Sequence, residues 1–566
     1  MDPQKKRIPQ SIDYYYEIVK GDYYYVDKTL LVKDIIDNGS KVTLYARPRR
    51  FGKSMNLSML DCFFNIDGRG KGLFEGTKIL SAGERYVSEM GKYPVIKLTL
   101  KEMKCPDFAW ACLSFREIIR NAWRDHDYLR RDPALSGEDR QFFEDILCDR
   151  KSPEELSTSL PELMRLLKLH HGAPTVLLID EYDVPLEAGH TGGYYPQVLP
   201  LIRRMMSSSC KDNPYLRLSV HTGCLRIARE SLYTGFNNPT INTILSEYAS
   251  DLFGFTEGEV QALLDYYGIG HLMPMVRTWY DGYRFGDSEI YNPWSVLHFA
   301  YDALANPNLA GKPYWMNTSG NDLLVDLIRT SVEAGGARND IERLLEGGTV
   351  KRTVNENINY DSLGQEPDAI WNMLLFTGYL KPMEQPDVHN DNRVPLKLAN
   401  LEVLTILKQK VRVWYSQLAR SGRTAPFIAA LEDGRAEDAE ILLNRLLTLT
   451  VSYHDREENF YHGFVAGLLA GAPGHECLSN RESGDGRADI QLLAKDYSAA
   501  VVVEVKNAKA VTDEALQAAA EEALRQAIGR NYDRELRLMG YRKLHTYGIA
   551  CFAKRCRILM KDPAKP

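Results

Sequence analysis

Residues 42–54 read VTLYARPRRFGKS, and this stretch decides the fold of the first half of the chain. The short apolar run Val42–Ala46, rich in β-branched residues, predicts a buried strand. From Ser54 to Asn65 the apolar residues follow the spacing of a partly buried helix. The eight residues between strand and helix match the phosphate-loop rule G-x-x-x-x-G-K-[ST], except that Arg47 stands at the first glycine.

The loop residues have the chemistry that phosphate binding needs. Gly52 lets backbone N–H groups approach a phosphate, Lys53 can reach the β- and γ-phosphates, and Ser54 can ligate Mg²⁺. The helix N-terminus adds partial positive charge. We therefore predict that Mg-ATP is bound by the whole loop: Arg47, Pro48, Arg49, Arg50, Phe51, Gly52, Lys53 and Ser54.

Arg47 in place of the first glycine is the one departure from the rule, and it is expected to change how the loop bends. Pro48 removes one N–H donor. The three arginines are expected to compensate by direct contact with phosphate, because a guanidinium presents a fork of donors. The alternative is a degenerate loop kept for structure.

An acidic pair follows a second apolar run, TVLLIDE, at Thr175–Glu181. The end of a parallel strand would place Asp180 beside the loop, where it would help to hold Mg²⁺. Glu181 would orient or deprotonate the attacking water. His221, Thr222 and Arg226 lie at the end of the predicted strand Leu216–Gly223, where a polar residue often contacts the γ-phosphate. Arg226 is the candidate nucleotide contact; the alternative is that these are ordinary turn residues.

Strands and helices alternate through this region, with a further strand at Pro94–Leu100 and a helix at Glu154–His170. This alternation predicts an α/β fold, a parallel sheet covered by helices. Further on, helical periods broken by aromatic, Gly and Asn clusters predict a helical middle domain, and the last part is a small α/β unit. The predicted domains are 1–255 (phosphate-loop domain), 256–400 (helical domain), 401–453 (helical linker) and 454–566 (small α/β domain).

A second set of charged residues lies in the last domain. Asp489 falls on the predicted strand Arg487–Ala494, and Glu504 and Lys506 share one face of the next, because they are two residues apart. Two carboxylates on adjacent strands can hold a divalent cation, and a lysine beside them can position water. Glu458 and Gln526, on the flanking helices, are further candidates. The alternative is an edge strand with solvated charges.

Composition narrows the class of protein. The 566 residues carry a net charge of −6, so the whole chain has no strong attraction to nucleic acid or anionic membrane. Nine cysteines without a CxxC pair predict reduced thiols. No segment approaches the ~18 apolar residues of a membrane span, and the polar start is not a secretion signal. A cytoplasmic protein without membrane contact is expected.

Basic residues collect near the end of the chain. Between Arg530 and Lys561 there are nine Lys and Arg against two acids. Such a stretch is either a phosphate-binding footprint or a solvated face.

Long motifs across the chain resemble a bacterial family of AAA-ATPase-like proteins with a C-terminal PD-(D/E)xK nuclease-superfamily domain. The matching segments are YYYVDKT (Tyr23–Thr29), ARPRRFGKSMNLSML (Ala46–Leu60), LLIDEYDVP (Leu177–Pro185), TGCLRIARESLYTGFNN (Thr222–Asn238), WYDGYRFG (Trp279–Gly286), YNPWSV (Tyr291–Val296), ENFYHGF (Glu458–Phe464), SNRESGDGRADI (Ser479–Ile490) and EVKNAK (Glu504–Lys509). The resemblance implies a restriction-endonuclease-like last domain, and that Arg47 is usual in this loop. It also implies a nuclease-like metal site formed by Glu458, Asp489, Glu504 and Lys506, with Ala488 in place of the motif's proline.

Three functions are compatible with these motifs. The first is an ATP-dependent, Mg²⁺-dependent nuclease acting on DNA or RNA. The second is an ATP-driven switch whose last domain only binds nucleic acid or a partner protein, and the third is an ATPase whose last domain is structural. The intact Asp489, Glu504 and Lys506 favour the first over the third. The 17 basic and 16 acidic residues from Val451 onward argue against tight DNA binding by that domain alone. The sequence does not decide whether the protein forms a homo-oligomer.

Overall fold

The structure, a computed structural model, describes residues 5–226, 239–306, 309–315, 338–345, 347–356, 366, 368–387, 389, 392–408, 424–450, 458–470, 472–483, 486–529, 536–552 and 555–561. The chain divides into two compact units. The first unit comprises Met1–Gly336 and Gly347–Thr405, and the second comprises Ala337–Glu346 and Ile406–Pro566.

A five-stranded parallel sheet forms the centre of the first unit. Its order is β2-β3-β4-β1-β5, so β4 lies between β1 and β3. The strands are β1 (Val42–Ala46), β2 (Val95–Thr99), β3 (Thr175–Asp180), β4 (Leu216–Gly223) and β5 (Thr240–Asn242). Because β1 and β3 are buried along their whole lengths, they read as continuous apolar runs, and the predicted α/β class is confirmed.

Ten α-helices belong to this part of the described chain. They are α1 (Tyr15–Lys20), α2 (Leu30–Asn38), α3 (Lys53–Phe64), α4 (Glu84–Val87), α5 (Phe108–Arg124), α6 (Gly137–Leu147), α7 (Pro153–Leu156), α8 (Leu160–His171), α9 (Val184–Thr191) and α10 (Tyr195–Cys210). The single helix predicted over Glu154–His170 is thus two helices. Pro161 has no N–H to continue the first helix, and the Ser159 hydroxyl donates to the Leu156 carbonyl at 2.8 Å.

The middle region is not purely helical, which corrects the predicted helical domain. Helices α11 (Glu257–Tyr267), α12 (Met273–Tyr280) and α13 (Pro293–Ala305) accompany an antiparallel sheet of β6 (Phe255–Thr256), β7 (Tyr283–Phe285) and β8 (Ser288–Tyr291). Helix α14 (Arg338–Leu345) belongs to the second unit. It is followed by another antiparallel sheet, formed by β9 (Val350–Thr353), β10 (Leu380–Pro382) and β11 (Arg393–Leu398). Helix α15 (Ala369–Phe376) lies between β9 and β10 in the chain. These strands are too short for an alternating pattern to distinguish them from turns.

The second unit has a mixed sheet in the order β12-β13-β14-β15-β16, with β14 and β15 parallel and the other neighbours antiparallel. Its remaining elements are α16 (Ala425–Glu432), α17 (Ala436–Thr450), α18 (Glu458–Ala470), β12 (His475–Ser483), β13 (Gly486–Ala494), β14 (Ala499–Asn507), α19 (Asp513–Gly529), β15 (Lys543–Phe552) and β16 (Arg555–Met560). The small C-terminal α/β fold is confirmed, although β12 and β16 were not predicted.

Helices cover both faces of this sheet. Side chains of α16, α17 and α18 share an apolar core with Ile490, Val501 and Val503. On the other face α19 packs against β14 and β15, and Gly548 allows the close approach, because a Cβ there would lie 2.4 Å from the carbonyl oxygen of Ala520. Within the described residues of both units, no helix is long and apolar enough to span a bilayer.

Candidate functional site

The loop between β1 and α3 turns through two left-handed residues. Arg50 has φ +70° and Gly52 has φ +80°, which brings the chain directly into the first turn of α3 at Lys53. The N–H groups of a first helical turn have no acceptor inside the helix. The loop therefore directs backbone donors and the positive end of α3 toward one point, the arrangement that binds phosphate.

Lys53 places its charge inside this loop. The side chain is buried, and Nζ donates to the carbonyl oxygens of Arg47 and Pro48, both at 3.0 Å. Cys224, after β4, lies 3.6 Å from the same ammonium. The Lys53 ammonium, held by two carbonyl oxygens of the loop, is positioned to meet an anion bound there.

Two hydroxyl groups, one from the first turn of α3 and one from the end of β4, donate to the carboxylate of Asp180 at the end of β3. The Ser54 hydroxyl donates to Oδ2 at 2.5 Å, and the Thr222 hydroxyl at the end of β4 donates to Oδ1 at 2.5 Å. The structure thus brings Ser54 and Asp180 together although β4 lies between β3 and β1, the strand that leads into the loop. The sequence analysis considered Thr222 as a strand-end residue near the γ-phosphate and did not predict its contact with Asp180.

This pairing of a hydroxyl and a carboxylate suits Mg²⁺, which usually takes one or two carboxylates and completes its shell with water and substrate phosphates. In the part of the chain that the structure describes, no three His, Cys, Asp or Glu side chains converge as a complete metal site. Ser54 and Asp180 are therefore the protein groups available to a cation shared with bound phosphate.

Glu181 follows Asp180 in a strained conformation, with φ +53°. Burial raises the pKa of this carboxyl group, the nearby Lys53 ammonium lowers it, and the charges of Asp180 and Asp183 raise it further. A non-glycine residue with positive φ has a conformational cost, and such residues cluster at functional sites. A carboxylate with a raised pKa is also a stronger base.

Asp183 was missed by the sequence analysis and fixes the chain after β4. Its buried Oδ2 accepts the N–H of Cys224 at 2.8 Å and that of Leu225 at 3.0 Å. Nearby, Arg49 donates to Glu187 on α9 at 2.8 Å. The segment IDEYDVP (Ile179–Pro185) therefore carries the acidic pair and, through Asp183, also holds the chain after β4.

The structure corrects the expectation that all three loop arginines face phosphate. Arg47 is fully buried, and its Nη1 donates to the carbonyl oxygens of Ala46 at 3.0 Å and Asn242 at 2.9 Å. Burial lowers the pKa of its guanidinium to about 10. The side chain supports the loop from behind, so any contact of Arg47 with nucleotide would come from its backbone.

Phe51 has a similar structural position, because its buried ring packs edge-on against Tyr283 at 4.8 Å. Arg50 instead lies over the ring of Trp294, 4.0 Å from its centre. Arg226 pairs with Glu356 at 2.5 Å, so the structure directs it toward β9 and its exit.

In the second unit, the antiparallel register pairs Ile490 with Val503 and Gln491 with Val502. Asp489 precedes Ile490 on β13. Glu504 is only 1% exposed, and its partner on β15 is Gly548, over which α19 packs. Lys506 is partly buried, two residues further on the same face.

For two of the predicted residues in this unit, the structure describes the backbone but not the side chain. Glu458 begins α18 and Asp489 lies on β13, but both side chains lie outside the described residues. Gln491, which was not predicted, is buried on β13 two residues beyond Asp489. Its signal was an amide within the apolar run IQLLA.

Comparison with known proteins agrees with this architecture. Residues 9–233 match the family described as Predicted AAA-ATPase, and residues 456–561 match the PD-(D/E)XK nuclease superfamily. A relative from Azotobacter chroococcum mcd 1, described as "Uncharacterized protein in vnfD 5'region", is 29% identical over 329 residues. The match covers 57% of this chain and 56% of that relative. The predicted resemblance is confirmed for both regions.

Proposed function

From a chain that joins an AAA-ATPase-like region to a PD-(D/E)XK nuclease-superfamily region, we propose an ATP-binding protein that hydrolyses ATP and carries a metal-dependent nuclease. The observation that carries the first part is the convergence of Ser54 and Thr222 on Asp180, beside the Lys53 ammonium. DNA or RNA is the proposed substrate class. The described cysteines are all free thiols, in keeping with a cytoplasmic location.

The loop residues would divide the work of nucleotide binding. Backbone N–H groups of the first turn of α3 would hold the β-phosphate, and Lys53 would exchange its two carbonyl acceptors for phosphate oxygens. Ser54 and Asp180 would hold Mg²⁺, which when bound neutralises charge on the phosphates. Arg49, already held by Glu187 near the loop, is the arginine best placed to reach a phosphate.

Glu181 would act on the attacking water. Its raised pKa makes it a better proton acceptor than an exposed glutamate, and the Lys53 ammonium opposes part of the effect of burial on that pKa. Thr222 would fix the orientation of Asp180 through its hydroxyl. Such positioning keeps the acidic pair in one geometry when the nucleotide arrives.

The proposed nuclease site comprises Asp489, Glu504 and Lys506, with Glu458 as a further carboxylate. Glu504 is only 1% exposed, and a divalent cation held between it and Asp489 would offset the repulsion between the two carboxylates. Lys506 would position water and stabilise negative charge on the phosphate. Gln526 lies on α19, the helix that covers this face.

A second candidate is an ATP-driven switch or scaffold whose nuclease-like domain only binds nucleic acid or a partner protein. Two observations favour it: the burial of Glu504 beneath α19, and the balance of 17 basic and 16 acidic residues from Val451 onward. Near-neutral charge weakens the sequence-independent attraction to phosphate that nucleases use. The oligomeric state under either candidate is a separate prediction.

The deciding experiment is a cleavage assay on single- and double-stranded DNA and RNA, with Mg²⁺ or Mn²⁺ and with or without ATP. The wild type should cut at least one substrate, and Asp489→Ala and Lys506→Ala should each reduce the rate by about 10²-fold or more. Lys509→Ala, which removes an exposed lysine three residues away, is the matched control and should cut normally. Cleavage that survives both site variants would show that another site or a contaminant cuts the substrate. No cleavage by the wild type on any substrate, with ATP present, would favour the switch.

A further inference from the structure

Arg226 leaves the sheet beside the phosphate loop. Gly223, the last residue of β4, pairs in register with the last residue of β1, and its carbonyl oxygen accepts the N–H of Arg47 at 3.0 Å. The next residue, Cys224, brings its sulfur within 3.6 Å of the Lys53 ammonium. Arg226 follows two residues later, so its side chain starts from the edge of the loop.

The Arg226 guanidinium turns toward Glu356, which lies three residues after the end of β9 in the same unit. Arg226 Nη1 donates to Glu356 Oε2 at 2.5 Å, and Glu356 Oε1 accepts the hydroxyl of Thr243 at 3.3 Å. Thr243 is buried and directly follows β5. Because β1 lies between β4 and β5, this contact crosses the edge of the sheet where β1 passes into the phosphate loop.

The ion pair leaves one donor of the guanidinium over. Arg226 Nε is buried and meets no acceptor among the residues that the structure describes. The two side chains are 22% and 33% exposed, and an ion pair that water reaches contributes little net free energy. A phosphate offers the guanidinium more acceptor oxygens than this contact does, so Arg226 can exchange Glu356 for a phosphate.

Glu356 holds Arg226 away from the side of the loop that carries the acids. Asp180 and Thr222 end β3 and β4, and Asp180 with Ser54 is proposed to hold Mg²⁺. In phosphate-loop proteins this cation bridges the β- and γ-phosphates, so the terminal phosphate would lie on that side, at the exit of β4. Glu356 is bonded at the exit of β5, on the far side of β1.

We propose that Glu356 is an inhibitory positioning residue, which keeps Arg226 from the terminal phosphate until a nucleoside triphosphate takes its place. A triphosphate competes with the Glu356 carboxylate for the guanidinium, whereas a diphosphate lacks the group that competes. The inference rests on the proposed nucleotide binding by the loop. It adds that a residue following β9, in the middle region, sets part of the difference in affinity between ATP and ADP.

The test compares the affinities of a non-hydrolysable ATP analogue and of ADP, both with Mg²⁺, by calorimetry. Glu356→Gln removes the charge and keeps the size, so Arg226 is released. The analogue should then bind at least ~5-fold more tightly, while ADP affinity stays within about twofold, because apparent affinity rises with the fraction of protein that is competent to bind. In an Arg226→Ala background the same substitution should leave the ratio of the two affinities unchanged, since no guanidinium remains to be released.

Glu89→Gln is the matched control. Glu89 pairs with Arg217 at 3.2 Å, and Arg217 lies near the start of β4, at the end of the strand away from the loop. This variant also breaks a partly exposed Glu–Arg pair of the first unit, and it should keep the wild-type ratio. A ratio that rises equally in Glu89→Gln and Glu356→Gln would overturn the assignment to Glu356.

The outcomes distinguish this inference from the function on which it rests. An unchanged ratio in Glu356→Gln, or an equal gain for both nucleotides, would overturn the role of Glu356 and leave nucleotide binding by the loop standing. A gain for the analogue alone that persists in the Arg226→Ala background would also overturn it. A wild type that binds neither nucleotide would overturn the proposed nucleotide binding itself.

Discussion

The phosphate loop of the first unit is held by polar contacts among strand ends and loops. In the second unit, the face of β14 that carries Glu504 and Lys506 is held by close packing of α19 on the sheet. At the loop, Asp180 and Asp183 each accept two hydrogen bonds from neighbouring segments. On β14, Glu504 pairs in register with Gly548 of β15, and α19 packs so closely on Gly548 that no Cβ would fit there. The first site should therefore be sensitive to lost polar atoms, and the second to added volume.

The largest expected effect concerns turnover at the first site. Glu181→Gln removes the proposed base but keeps its size, so ATP hydrolysis should fall by about 10²–10⁴-fold while ATP affinity stays within a few fold. Steady-state phosphate release and calorimetry on the same preparation check this. Glu138→Gln, which changes an exposed glutamate on α6, is the comparison; similar losses in both variants would show that Glu181 has no special role.

The polar character of the first site predicts the next effect. Asp183→Ala leaves two N–H groups, those of Cys224 and Leu225, without their acceptor, and should lower the free energy of unfolding by about 2–4 kcal/mol. Asp183→Asn is the matched control, because one amide oxygen can accept both bonds. Urea unfolding should show a much smaller loss for Asn than for Ala. Equal losses would mean that the charge, and not the hydrogen bonds, holds this segment.

Close packing at the second site predicts a smaller loss of stability, caused by added volume and not by a lost hydrogen-bond acceptor. Gly548→Ala adds a methyl group into backbone atoms of α19 and should cost about 1–3 kcal/mol in the unfolding of this unit. Gly463→Ala, on α18 with open space around it, is the control and should be neutral or slightly stabilising. A silent Gly548→Ala would indicate that α19 yields readily, and the contrast between the two sites would weaken.

Local patterns were enough for the strands that carry the loop. β1 and β4 have the bounds predicted for them, since continuous apolar runs between turn residues are a local signal. The meeting of Ser54 with Asp180 also followed from sequence, because the ends of parallel strands share one edge of a sheet.

Long-range contacts decided the rest. The orientation of Arg47 depends on carbonyl groups near residues 242 and 249, about two hundred positions away, which no local pattern reveals. Thr222 meets Asp180 only because β4 lies between β3 and β1, and sequence does not give strand order. β12 escaped prediction because HECLSNRES is too polar to read as a strand, although it pairs along β13.

The central claim, that the loop binds Mg-ATP, is tested most directly by calorimetric titration of the wild type and Lys53→Ala with Mg-ATP. Removing the buried ammonium should weaken binding at least ~10-fold, about 1.4 kcal/mol, while Lys33→Ala, a surface lysine of the same unit paired with Asp37, should bind as the wild type does. Equal affinities for the wild type and Lys53→Ala would contradict the account.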